Sequence, residues 1–197
     1  MGSWNEADHP RDARGRFVSK SGGGFGVFVI VGLVLFIGAM SASGSGTGAS
    51  KSQAMSWTSS GYTFTSERST SSASCRTHAY GYVRDFLADH ECTEVRRGLY
   101  SVTDTNGHEI VISTAAVTMS TGGKAERLQA LVDRHGSGNI TELGTVEFSG
   151  YYYDSRRANK VVTIAQAEPA AGTSVPAAVL DEAATTGLGA PAAVTGD

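Results

Sequence analysis

The chain has 197 residues, 40% of them apolar, and its 19 acidic and 16 basic residues leave a formal net charge of −3. That balance excludes the one-sided basic field a nucleic-acid binder needs. Nine of the 25 glycines fall between Gly22 and Gly48, and the last thirty residues are dominated by Ala, Gly, Thr and Pro. About 100 residues remain for folding, enough for one modest core.

Residues 1–23 are polar and carry Arg11, Arg14, Arg16 and Lys20. GFGVFVIVGLVLFIGAM, Gly24 to Met40, then contains no charged or strongly polar side chain. A helix over those residues would cover about 26 Å, a thin-core bilayer crossing with little tilt. Four bases precede the segment and Lys51 is the first charge after it. The positive-inside rule therefore predicts a cytoplasmic tail (1–23), a single transmembrane helix (24–40) and everything later outside the cell membrane. Ser41 and Ser43 would suit cleavage as a signal peptide, but the acidic leader and long apolar run favour an uncleaved anchor. The segment HPRDARGRF mixes bases with acids and reads as a topology signal rather than a docking peptide.

Residues 41–60 are Gly/Ser-rich and read as a flexible stalk. Gly61–Thr65, GYTFT, alternates aromatic and small residues and is a short strand candidate inside Ser/Thr-rich sequence. Ala79, Val83, Phe86, Leu87 and His90 share one face at helical spacing, which predicts an amphipathic helix over 78–89. Two β-rich runs follow, VRRGLYSVTD and HEIVISTAAVTM, separated by Asn106–Gly107. That dipeptide predicts a hairpin closed by a type I′ turn. GGKAERLQALVDRHG predicts a second helix, with Ala125, Leu128, Leu131 and Val132 inward and Gly136 as C-cap. Thr141–Phe148 and Lys160–Ala167 complete the strand candidates.

The order predicts an α+β domain over 61–168, two helices against an antiparallel sheet, approaching a ferredoxin-like unit if Gly61–Thr65 is a strand. Residues 169–197 offer one short helical stretch near Ala177–Ala184 and otherwise read as a disordered tail.

Cys75 and Cys92, the only cysteines, flank the predicted first helix. A fully helical 75–92 would hold them about 25 Å apart, too far for a bond. A helix confined to about Ala79–Ala88 lets the flanks fold back until the thiols meet. An outside location makes the disulfide the leading expectation. Intermolecular bridging is its rival; Cys75, His78 and Cys92 fall short of a zinc ligand set.

Chemistry is sparse. STGGKA at Ser120–Ala125 lacks the leading glycine and the Ser/Thr of a phosphate loop and reads as a helix start. His90 and His135 suit helix C-terminal positions. Asp85 and Asp89 lie one turn apart on what reads as a solvated face. No catalytic residue, metal or cofactor is expected. GYYYDSRR is the best candidate binding surface, through Tyr151, Tyr152, Tyr153, Arg156 and Arg157. Three consecutive tyrosines cannot all point inward from a strand, and exposed Tyr and Arg concentrate at interaction hot spots.

The set CRTHAYGYVRDFL, then CTEVRRGLYSV, behind an anchor and a Gly/Ser stalk, resembles uncharacterised single-pass membrane proteins of actinobacteria. The use of 12 Arg against 4 Lys fits the high-GC genome of such a host or its phage. The resemblance implies a membrane location and supports the cysteine pairing, and implies no activity. The expectation is a non-enzymatic, membrane-anchored extracytoplasmic binding or scaffolding protein whose partners are the lipid bilayer, through 24–40, and an envelope protein, not nucleic acid. An anchored envelope hydrolase using Asp85, Asp89 or a histidine is the alternative, with a signalling or phage-exclusion protein behind it.

Overall fold

The computed structural model describes residues 55–90 and 92–190. The expected cytoplasmic tail, the expected transmembrane helix over 24–40 and most of the expected stalk lie outside the described residues. Among the described residues no helix is long and apolar enough to cross a membrane.

The domain is α+β. Its strands are β1 (Ser56–Ser59), β2 (Tyr62–Ser72), β3 (Cys92–Thr103), β4 (Glu109–Met119), β5 (Tyr153–Ala158) and β6 (Val161–Pro169), and its helices are α1 (Gly81–Asp89), α2 (Gly122–Val132) and α3 (Ala177–Gly187). One six-stranded antiparallel sheet runs in the order β1-β2-β3-β4-β6-β5. Helices sit on both faces. Val95, Ala115, Val117, Met119, Val162 and Ile164 pack against Val83 and Leu87 of α1 and Ala125, Leu128 and Val132 of α2. From the opposite face Tyr62, Phe64, Tyr100, Val102, Ile110, Ile112 and Ala167 meet Leu180, Ala183 and Ala184 of α3. Strand alternation explains the division: even-numbered Ile110 and Ile112 point one way, odd-numbered Ala115, Val117 and Met119 the other.

Several expectations need correction. The ferredoxin-like order is not observed, because β2, β3 and β4 are consecutive neighbours and β6 lies between β4 and the edge strand β5. The domain begins before residue 61: β1 lies inside the expected stalk and zips onto β2. Serine- and threonine-rich β2 runs to Ser72 because its backbone pairs with β3 along nearly its whole length. Thr141–Phe148 is not a strand; Gly144 turns it at φ +91°, and single hydrogen bonds rather than a ladder tie it, from the Thr141 N–H to the His78 carbonyl at 2.8 Å and from Arg97 to the Thr141 carbonyl at 2.9 Å. The short helical stretch expected near Ala177–Ala184 is present as α3, but the rest of 169–190 is not a disordered tail: it is a connector that docks this helix, with Leu180 and Ala183 fully buried.

The hairpin at Asn106–Gly107 forms, but not with a type I′ turn. Only Gly107 takes positive φ (+83°), and it closes a turn by donating its N–H to the Asp104 carbonyl at 3.1 Å. This is the three-residue loop with a glycine bulge. The Asp104 carboxylate completes it, accepting from the Asn106 N–H (2.9 Å) and the His108 N–H (2.8 Å) and pairing with the His108 ring at 2.7 Å. Two consecutive positive φ angles occur instead at Ser60 (+50°) and Gly61 (+80°), between β1 and β2.

Cys75 and Cys92 are joined, their Cα atoms 6.1 Å apart. Cys75 sits in a 3-10 turn (Cys75–His78) after β2, and Cys92 is the first residue of β3. Because β2 and β3 are neighbours, with Ser72 opposite Val95, the chain leaves and re-enters the sheet at one place. The α1 excursion is a loop pinned at its base. Both cysteines are buried in the core shared by α1 and α2.

Candidate functional site

A concavity lies where α1, the segment after α2 and the start of β5 converge. It is a cleft of about 310 Å³ lined by residues that include Tyr80, Asp133, Asn139, Tyr151, Gln166 and Asp181. Its shape comes from glycine. After α2, Gly136 (φ +75°) and Gly138 (φ +93°) turn the backbone under the start of α1. There Tyr80 donates its N–H to the Asn139 carbonyl at 3.0 Å and Val83 to the Ser137 carbonyl at 3.3 Å. A Cβ on Gly138 would collide with the Tyr80 carbonyl, so this crossing admits only glycine. Ser137, nearly fully buried, holds the end of α2 through its hydroxyl, 2.6 Å from the Leu131 carbonyl and 2.7 Å from that of Arg134.

The other wall is Ser149–Tyr153. Glu168 accepts from the Ser149 N–H at 2.7 Å, and Ala167 donates to the Tyr152 carbonyl at 2.9 Å. Gly150, at φ +73°, turns the chain there. Between the walls Asn139 and Gln166 are 7% and 4% exposed, while Tyr80 and Tyr151 at the rim are 45% and 49% exposed.

The five predicted surface residues are not one surface. Tyr151 lines the cleft, as does Tyr153, whose hydroxyl donates to Asp133 at 3.0 Å. Burial, then the Asp133 charge, push the Tyr153 phenol well above its ordinary range. Tyr152 packs against the core on the α3 side, its phenol raised by burial and then by Asp181. Arg156 reaches the α3 end, donating to the Leu188 carbonyl at 3.2 Å, and Arg157 lies 3.5 Å from the Asn159 carbonyl. Alternation along β5 scatters them: Tyr153 and Ser155 face α2 whereas Asp154 and Arg156 face α3.

Tyr80, Asn139, Gln166, Asp133 and Asp181 were not legible as site residues. The one local signal is HGSGN at His135–Asn139, where the second glycine is superfluous for ending a helix and marks the close crossing. Asp85 and Asp89 are exposed on α1, Asp85 lying 3.6 Å from Arg84, and neither lines the cleft. Thr121 caps α2 by accepting from the Lys124 N–H at 3.3 Å, so STGGKA is a helix start. Among the described residues no three His, Cys, Asp or Glu side chains group as a metal site.

No protein-family model, curated protein or solved structure matches this chain.

Proposed function

We propose that this chain is a membrane-tethered extracytoplasmic binding protein, non-enzymatic, whose ligand occupies the cleft between Tyr80 and Tyr151. The cleft itself carries the reading. Two half-exposed tyrosines and two buried side-chain amides line it, and a backbone crossing that only glycine allows fixes Tyr80 and Asn139. Concavity, aromatic walls and a few fixed polar groups are the pattern of a ligand site. The Cys75–Cys92 bond supports an oxidising compartment, and the apolar run 24–40 with its upstream bases supports the anchor and its direction.

Location is tested with a bulky membrane-impermeant maleimide on intact cells. The reading expects labelling of both cysteines only after reduction, and a monomeric band without it; labelling only after lysis overturns the topology. Binding is tested on the full-length protein in detergent, against isolated envelope material. A Tyr80→Ser/Tyr151→Ser double variant that still inserts and still forms its disulfide should lose retention; unchanged retention removes the cleft from the function.

A further inference from the structure

We infer that the cleft is a carbohydrate subsite, taking a single neutral pyranose ring with its C–H face against Tyr151 and its hydroxyls on Asn139 and Gln166. The inference rests on the cleft being the binding site.

The amides carry it. Asn139 has its Oδ1 committed to the N–H of Ile140 at 2.8 Å, which leaves the Nδ2 donor uncommitted among the described residues. Gln166 is the complement: its Nε2 donates to Glu142 Oε1 at 2.7 Å, which leaves Oε1 as the acceptor. That oxygen faces Gly150, where an added Cβ would sit 3.9 Å away. Each amide is fixed in one orientation by the group it already serves, because an N–H requires the oxygen and a carboxylate requires the nitrogen. Two buried amides thus present one donor and one acceptor to the same cleft. A hydroxyl both donates and accepts, so a pair of sugar hydroxyls satisfies both groups, and neither side chain loses further rotamer freedom on binding.

The remaining features select among polar ligands. A pyranose has an apolar C–H face, and a half-exposed tyrosine offers a flat apolar ring with a polar tip. Asp133 and Asp181 line the cleft with Arg134 and His135, so it holds no surplus of positive charge for a phosphate or carboxylate, which favours a neutral ring. A cleft of about 310 Å³ falls at the lower end of small-molecule sites, room for one ring rather than a folded chain.

The test is saturation-transfer NMR on the full-length protein in nanodiscs, using the methyl glycosides of glucose, mannose, galactose and N-acetylglucosamine. At least one should bind with a Kd on the order of 1 mM, with saturation strongest on the protons of one ring face. Tyr151→Ser should weaken it at least fivefold and Tyr151→Phe less than twofold, while Tyr82→Ser, 68% exposed and outside the cleft lining, should leave it unchanged. The same variants on immobilised envelope polysaccharide separate a free sugar from a polymer, since a polymer ligand must show the same Tyr151 dependence. If no glycoside binds while envelope retention remains sensitive to the Tyr80→Ser/Tyr151→Ser change, the sugar assignment fails and the binding site stands. If tetramethylammonium binds in place of the glycosides, the cleft is a cation cage and the sugar assignment again fails. If retention is also insensitive, both fall.

Discussion

Gly138 and Gly123 make opposite cases from the same residue type. A side chain at Gly138 meets the Tyr80 carbonyl at a φ of +93°, so Gly138→Ala is strained both by its backbone angle and by the crossing. It should cost at least about 2 kcal/mol in a denaturant titration. Gly123 lies in α2 with nothing within 4 Å of an added Cβ, and Gly123→Ala should stabilise by up to about 1 kcal/mol. Equal effects would mean that the crossing at α1 does not constrain the chain. Asp104 gives a second residue-scale prediction. The hydrogen bond to the His108 ring, followed by the backbone N–H groups of His108 and Asn106, lowers its pKa from 3.8 to about 2. A depressed carboxyl stabilises the fold above its unfolded pKa and loses that contribution as pH falls through its folded one. Stability should therefore decline between pH 4 and pH 2. Asp104→Asn should be less stable at neutral pH and flatter across that window, and an unchanged acid slope would reject the account.

At the scale of elements, α3 decides how the C-terminal sequence is understood. Its inward residues, Leu180, Ala183, Ala184 and Gly187, are spaced for a helix but are mostly small. They become a core only because Ile112 and Ala165 approach within 2.9 and 3.3 Å of where a Cβ on Gly187 would be. Sequence alone could not supply that sheet face, which is why the segment read as tail. The long amphipathic pieces were legible: α1 and α2 arise where a 3.6-residue apolar period exists, and β3 and β4 where β-branched residues run long. Of the Ser/Thr-rich β2 only the start was legible, as the Gly61–Thr65 strand candidate; the rest of it and the charged β5 were not, because their partners rather than their own composition make them strands. Nor was the cleft, whose lining comes from five separate stretches of chain. Ending the chain after Pro176 should expose Phe64, Tyr100 and Ile112 and cost several kcal/mol, read as a lowered denaturation midpoint or loss of the cooperative transition. A disordered tail would be removable without effect. The disulfide is the other element-scale staple. Closing a loop of about 18 residues contributes about 3 kcal/mol on the chain-entropy model, so Cys75→Ser/Cys92→Ser should lose about that much and reductant should then add nothing.

Over the whole molecule, one sheet carries two cores on opposite faces, and tyrosines report on both. Tyr62 belongs to the α3 core, its phenol raised to about 12 by burial first and the Glu182 charge second. Tyr152 is raised on that same side, and Tyr153 is raised on the α2 side against Asp133. A phenol whose folded pKa lies above its unfolded value of about 10 holds its proton more tightly in the native state. Its contribution is complete below that unfolded value and is lost as pH rises toward the folded one. Stability should therefore hold up to about pH 10 and fall between pH 10 and 12, with ionisation of these phenols at 295 nm coinciding with the loss of structure. The sheet joins the two cores, so both sides should open in one transition. Tyr153→Phe keeps the ring, removes the ionisable group and should make the alkaline decline shallower. Phenols titrating fully while the fold persists would show that neither core shelters them, and a decline unchanged by Tyr153→Phe would place the alkaline sensitivity elsewhere.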